Sequence, residues 1–260
     1  LSLLSSTVVL EEGASSRREN LLPYIQNLSS CDLSDTISLL DISVVWMMCS
    51  YLSSPDKHKI KVYLNQMLRN WLVRYDLHKV KTKSSFSQKK PVMLLGLEFF
   101  RSGHSMGRSY GDALKSLKEK FYTIGIAFQE AEKDDSNYQY FDKVITLDCN
   151  NKDGLLSEHK MRASIKRLLN YNPAVVYYPS LGMHIVAILL ANLRLAPIQI
   201  VGCGHPASTF CDTIDYCIIE EDYCPTDTSL FTEKMITLPP ETVASRPLEA
   251  MKTYKRHPKD

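Results

Sequence analysis

VVYYPSLGMHIVAILLANLRLAPIQIVGCGHPAST, residues 175 to 209, is the stretch that decides the fold. Val175 to Tyr178 is a short apolar, β-prone run, broken by Pro179, Ser180 and Gly182, so a buried strand ends there in a turn. Ile185 to Leu193 reads as a helix closed by Asn192 and Pro197, and Ile198 to Val201 as a second strand that stops at Gly202, Gly204, His205 and Pro206. Strand, crossover helix and strand in so short a span imply a parallel sheet. In such sheets ligands collect where the carboxyl ends of strands meet loops and helix starts. Ser180 to Gly182 and Gly204 to Thr209 are therefore expected to share one rim.

Working outward, the same alternation runs from Pro91 to Leu238. Val92 to Leu97 reads as a strand, Arg101 to Tyr110 as a polar loop, Ala113 to Lys120 as a helix and Phe121 to Ala127 as the next strand. Lys143 to Leu147 gives a further strand and Glu158 to Leu169 a helix; Ile214 to Ile219 and Met235 to Leu238 complete the series. The whole is an α/β, Rossmann-like domain over residues 91 to 238. It contains no G-x-G-x-x-G, which argues against a dinucleotide cofactor. Residues 1 to 78 have a different texture, predicting an all-α domain: Ile37, Leu40, Val44, Val45 and Met48 recur at helical spacing. A second helix, with Ser54 as cap and Pro55 in its first turn, aligns Ile60, Tyr63, Leu64, Met67, Leu68, Trp71 and Leu72 on one face. Lys79 to Lys90 reads as a linker and Pro239 to Asp260 as a connector leading onward.

Composition narrows the function classes. The 260 residues are 44% hydrophobic and 23% charged with a net charge of +2, enough to bury a substantial core. So small a net charge argues against a dedicated nucleic-acid binder, which needs clustered Lys and Arg against phosphates. No apolar run approaches the roughly 18 residues that span a bilayer. The first residue is Leu1, and Leu1 to Leu10 has no basic residue ahead of its apolar part; an intact secretory signal is not read, and a piece of a longer protein is expected. Seven cysteines, sparse and odd in number, fit a reducing cytoplasm better than a disulfide scaffold. Cys203, Cys211, Cys217 and Cys224 gather around His205 without any Cys-x-x-Cys pair, so free thiols are expected and no metal.

Two histidines fall at strand exits with glycine and hydroxyl neighbours: His104 in EFFRSGHSMGRSY and His205 in GCGHPAST. Gly103 and Gly204 permit close backbone approach, and Ser105, Ser208 and Thr209 offer hydroxyls and amides to a sugar or phosphate. Ser180 invites an α/β-hydrolase reading with His205 and Asp212. Against it, Tyr178 stands where the nucleophile elbow wants Gly, and the chain order Ser, His, Asp is not that fold's. The other histidines are read as structural.

The runs KPVMLLGLEFFRSGHSMGRS, VVYYPSLGMH, NLRLAPIQIVGCGHPAST, DYCIIEEDY and CSYLSSPDKHKIKVYLNQMLRNWL resemble the bacterial cytoplasmic N-glucosyltransferases that modify high-molecular-weight adhesins. That family is related to the O-linked N-acetylglucosamine transferases, and the resemblance extends from about Ser34 to Leu238. It implies an all-α domain followed by the first Rossmann-like half of a GT-B glycosyltransferase. It also implies transfer of glucose, or galactose, from a UDP-sugar to asparagine in Asn-x-Ser/Thr sequons of adhesins, with inversion, without metal and with no cofactor beyond the UDP-glucose donor. His104 would be the catalytic residue; Ser105, Ser180, Gly204, His205, Pro206 and Thr209 would bind substrate. The half of that fold that grips uridine and diphosphate follows the connector, so this chain alone is expected to bind UDP-glucose weakly and turn over negligibly. A noncatalytic acceptor-binding remnant is the alternative.

Overall fold

The computed structural model describes residues 12–30, 39–82, 89–101, 103–128, 139–151, 155–202, 204–240 and 242–243. Seven strands form one parallel sheet: β1 (Val92–Leu97), β2 (Tyr122–Ala127), β3 (Lys143–Thr146), β4 (Val175–Tyr178), β5 (Ile198–Gly202), β6 (Tyr216–Glu220) and β7 (Lys234–Leu238). Their spatial order is β3-β2-β1-β4-β5-β6-β7. The order reverses between β1 and β4, where Leu94 pairs Val176 and Leu95 pairs Tyr177. The crevice above that reversal is where a doubly wound sheet takes its ligands.

The pleat of β1 sends its side chains to two cores. Val92 and Leu94 belong to one cluster, Met93, Leu95 and Leu97 to the other. On the second face lies the helix Ser105–Ser116, through Met106, Tyr110 and Leu114. On the first face lie the helices Glu158–Leu169 and Ile185–Ala191, and the N-terminal helices continue the same core. In chain order the helices are α1 (Glu12–Glu19), α2 (Leu39–Met48), α3 (Ile60–Arg74), α4 (Ser105–Ser116), α5 (Glu158–Leu169) and α6 (Ile185–Ala191); a 3-10 segment, Leu22–Ser30, packs on α3. Every residue of α6 is buried, within one core that it shares with Val176, Tyr178 and Val201 of the sheet, and α2 and α3 pack against it. A helix apolar all round needs that double cover.

Two expectations need correction. The loop expected over Arg101 to Tyr110 is helical from Ser105. Its glycines serve contact, not turning: a Cβ on Gly107 would lie 2.3 Å from the Arg101 carbonyl oxygen, and one on Gly111 would lie 2.8 Å from the Tyr140 ring. Likewise Ser54 does not cap α3. Its hydroxyl accepts from the Asp56 N–H in a local turn, its own N–H goes to Glu19 at the end of α1, and α3 begins only at Ile60. The start of the helix expected from Ile37 lies partly outside the described residues, as do most of the connector and the centre of the Lys79–Lys90 segment. Among the described residues no helix is long and apolar enough to cross a membrane.

Candidate functional site

Three buried carboxylates organise the rim and the loops behind it, Glu98 and Glu220 at the exits of β1 and β6 and Glu233 at the entry to β7. Glu98 follows β1 and is 1% exposed. Its Oε1 accepts the N–H groups of Gly182, Met183 and His184 at 3.1, 3.1 and 2.9 Å, locking the loop after β4 to the end of β1. Carboxylate bonds to backbone donors at a helix start are among the stronger ones available to a protein. Glu233, just before β7, receives the Ser208 hydroxyl and the Thr209 N–H, both at 2.8 Å, and also the Thr209 hydroxyl. Glu220 ends β6 and turns into a cavity.

That cavity, about 310 Å³, lies between the first turns of α4, the Gly204 to Pro206 turn and the exit of β6. Ser105, Met106, Ser109 and Tyr110 line it from α4, Gly204 and Pro206 from the turn, and Glu220 and Tyr223 from β6 and the 3-10 turn behind it. The wall is close-fitted: Gly204 N–H donates to the Pro179 carbonyl at 3.0 Å. A Cβ at Gly204 would meet Ser180 Cβ at 2.6 Å and Met106 Cε at 2.9 Å, so no other residue fits there without displacing its neighbours.

The candidate residues divide around this cavity. Ser105, Gly204 and Pro206 line it. His104 stands beside it as the N-cap of α4, its Nδ1 accepting the Met106 N–H at 3.3 Å and its ring 5.6 Å from Phe99. Partial burial, then the charges of Arg101 and Arg108, hold His104 below the usual histidine range. It is therefore neutral at neutral pH, with Nδ1 occupied and its proton on Nε2. Phe99 has φ of 52°, a left-handed conformation that a bulky residue holds only when its surroundings impose it.

His205 turns away from the rim into the helical domain. Its Nε2 lies 3.3 Å from both Ser50 Oγ and Lys61 Nζ, and its ring packs edge-on against His58. Lys61 is wholly buried and also donates to the Ser208 carbonyl at 3.0 Å. One residue-turn along α3, Asn65 donates to the carbonyls of Thr209 and Phe210 at 3.0 and 2.8 Å. Burial depresses His205 to about 3, with Lys61 and His58 pushing the same way. Burial likewise brings Lys61 down to about 8, against the opposing pull of Cys49 and Glu233. Thr209 is thus held from both sides, by Glu233 and by Asn65.

Ser180 is 1% exposed and its hydroxyl has no hydrogen-bond partner among the described residues. With His205 engaged by Ser50 and Lys61 and Asp212 beside Arg69 at 3.5 Å, no serine-histidine-aspartate relay exists. Cys211 is buried and its thiol pushed up to about 12 by that burial, which keeps it protonated. Among the described residues no three His, Cys, Asp or Glu side chains gather in a group able to hold a metal; Cys203 lies outside them. Sequence reasoning missed Glu98, Glu220, Glu233, Lys61 and Asn65. The available signal was an acid directly against an apolar strand run, and a Lys and an Asn on the apolar face of a predicted helix.

An all-parallel sheet on a helical N-terminal part, its strand order reversing once, is a Rossmann-like arrangement of the kind that forms one half of a GT-B fold. A solved mutant of the Thermobaculum terrenum O-GlcNAc transferase shares this fold with a TM-score of 0.56 and 14% identity, covering 91% of this chain and 42% of that one. The first 72 residues match the family described as HMW1 domain 2. The UDP-glucose:protein N-beta-glucosyltransferases of two Actinobacillus pleuropneumoniae strains, serotype 5b (L20) and serotype 7 (AP76), are each 33% identical over 207 residues, 76% of this chain. The chain is similar to these two proteins over that span, and it covers about a third (31%) of their length.

Proposed function

We propose that this chain supplies the acceptor-side half of an inverting, metal-independent glycosyltransferase. The enzyme would move glucose from UDP-glucose to asparagine of Asn-x-Ser/Thr sequons in adhesin-type proteins, in the cytoplasm and with no cofactor beyond its donor. The observation that carries this reading is the 33% identity to UDP-glucose:protein N-beta-glucosyltransferases in a chain whose rim holds a cavity at the exit of the parallel strands. The relatives are named for a β-linked product, and the glucose of UDP-glucose is α-linked, so such a transfer would invert the anomeric carbon. In that step the asparagine Nδ2 forms the bond to the anomeric carbon, the carbon–oxygen bond to the diphosphate breaks with its electrons leaving on UDP, and one amide proton is released. An amide is a poor nucleophile, so most of the acceleration must come from holding it in line and stabilising the departing diphosphate.

The local geometry supports particular roles. His104, neutral with Nδ1 occupied by the Met106 N–H, presents an Nε2–H donor, suited to an oxygen of the leaving group or of the acceptor backbone. The Gly204 to Pro206 turn shapes the acceptor wall, with His205 as its internal anchor. Charge stabilisation for the diphosphate falls to the half of the fold beyond this chain's matched span, since Glu220 makes this cavity acidic.

The test is a transfer assay with UDP-glucose and a sequon peptide, read by mass spectrometry as addition of one hexose. The 260-residue chain alone is expected to give negligible product. Joined to the C-terminal part of the Actinobacillus pleuropneumoniae relative, it is expected to transfer, and His104→Ala in that fusion to lose at least 100-fold. Calorimetry showing peptide bound by the chain, with no transfer from any fusion, would instead support a noncatalytic acceptor-binding module.

A further inference from the structure

We propose that the base of the sheet, at the end opposite the candidate site, is a docking surface for the anionic headgroups of a phospholipid membrane. The proposal is independent of the transferase reading. All neighbouring strands pair parallel, so their starts share one end of the molecule and the rim occupies the other. The helices that lead from one strand to the next therefore finish at the base. Residues 89–91, 117–121, 141–143 and 166–173 meet there, below β1, β2 and β3. The Tyr122 N–H donates to the Pro91 carbonyl at 2.9 Å, Lys118 Nζ to the Phe141 carbonyl at 3.2 Å, and Lys143 Nζ lies 5.0 Å from the centre of the Tyr171 ring.

Charge is concentrated in these segments. They hold six lysines and Arg167 against two acids, Glu119 and Asp142, a net charge of +5, whereas the whole chain carries +2. The strand starts lie about 4.8 Å apart, so Lys90, Lys120 and Lys143 enter adjacent strands within a Debye length, about 10 Å at 0.1 M salt, and their fields add. Little of this charge is neutralised locally. Asp142 already accepts from the Thr123 N–H at 2.8 Å and stands 3.8 Å from Lys118. Lys143 and Arg167 converge on the neutral Tyr171 hydroxyl and hold it below the usual tyrosine value. Lys89, Lys90, Lys120 and Lys166 are exposed and enter no ion pair among the described residues.

Residue type selects the occupant. Arginine is the residue of bidentate phosphate recognition, whereas lysine is a point charge on a flexible stem. Six lysines to one arginine suit a fluid layer of headgroups better than one fixed phosphate. Clusters of roughly four to eight basic side chains are what anionic leaflets attract. Tyr122, the first residue of β2, stands 38% exposed among them, an amphipathic ring of the kind that settles at headgroup level. Single-stranded nucleic acid would call for successive free rings along a groove, and the second ring here, Tyr171, is already covered by Lys143. Attachment through charge and one ring is peripheral, and it leaves the rim facing away from the membrane.

The experiment is co-sedimentation of the 260-residue chain with sucrose-loaded vesicles. The chain is expected to pellet with equimolar phosphatidylcholine and phosphatidylglycerol in about 0.1 M NaCl, and to be released at about 1 M, where the Debye length is near 3 Å. With phosphatidylcholine alone it is expected to stay in solution. Lys120→Glu combined with Lys166→Glu takes the base from +5 to +1 and is expected to lower the partition coefficient at least fivefold. Arg17→Glu combined with Lys59→Glu, in the helical part, changes the total charge equally and is expected to stay within twofold of wild type. Unchanged thermal midpoints verify both folds; if the reversals disturb the fold, Lys120→Gln with Lys166→Gln is expected to lower partitioning at least twofold. No pelleting with the anionic vesicles overturns the proposal, as does an equal loss in the base and control variants. A labelled DNA duplex bound more tightly than the vesicles, and released by the base variant, would make this a nucleic-acid surface and overturn the lipid assignment.

Discussion

His205 lies in the turn that resembles a sugar-transferase signature, yet its ring faces the helical domain. There it meets a second histidine and a buried lysine, His58 and Lys61, an arrangement tolerable only while the rings stay neutral. Burial keeps both histidines at about 3 against an ordinary value near 6.5. As pH falls through 6.5 the unfolded chain takes up these protons before the folded chain does. The stability these groups hold above 6.5 is therefore lost progressively toward 3. Each fully shielded histidine would contribute about 1.4 kcal/mol per pH unit in that window, and solvent screening makes the share of the half-buried His58 smaller. Urea denaturation at pH 7, 6 and 5 is expected to show the midpoint falling with each step. A His58→Gln, His205→Gln double variant should fall less steeply, and equal slopes in the two proteins would rule out these histidines as the source. None of this was readable from the sequence, because Gly-His-Pro on a strand exit is compatible with a ring pointing to either side. What decides the side is Lys61 and Ser50, more than 140 positions earlier in the chain.

Among the elements, the strands were readable and the helix α4 was not, and one physical reason covers both outcomes. Strands buried on both faces are continuous apolar runs, so Val92–Leu97, Val175–Tyr178 and Ile198–Gly202 announced themselves within a residue of their ends. In α4 the glycines at 107 and 111 lowered the helix signal, while their purpose, contact with Arg101 and Tyr140, is tertiary. The reversal point at β1 and β4 was likewise implied by the alternation of elements, whereas the tie across it, Glu98 to the loop after β4, was not. That loop carries a sharper test. Gly182 has φ of +135° and a Cβ there would lie 2.5 Å from Trp46 Cδ1, so Gly182→Ala combines backbone strain with overpacking. A loss of about 2 to 5 kcal/mol is expected. Gly103→Ala provides the control: nothing lies within 4 Å of its added Cβ, and a change within about 0.5 kcal/mol is expected. Paired denaturation curves check both, and comparable losses at the two positions would count against the packing of α2 on this loop.

For the whole molecule, the question is whether the helical part and the sheet are two units or one. Composition and periodicity separate them at the Lys-rich linker, but the buried residues run through without a break from Ile42, Trp46, Leu64 and Leu68 to Val176, Ile188 and Leu190. The helix α6 decides the matter. Its sequence IVAILLA is buried on every side, and α2 and α3 supply the cover that the sheet does not. The same helices hold the rim in shape, since Lys61 and Asn65 bind the carbonyls of Ser208, Thr209 and Phe210. Removing residues 1 to 78 would uncover an apolar helix and leave three carbonyls in the loop without donors, and a contiguous exposed patch of that kind drives aggregation. A chain starting at residue 79 is therefore expected to be insoluble, or to bind the dye ANS and lack a cooperative melting transition, while the 260-residue chain melts in one step. If the shortened chain instead shows a sharp transition and an intact near-UV circular dichroism spectrum, the sheet folds alone and the helical part is an attached module. In the expected case, the rim is built jointly by both parts. Mutations in α3, far from the cavity in sequence, should then alter ligand binding in it through the shape of the Gly204 to Pro206 turn.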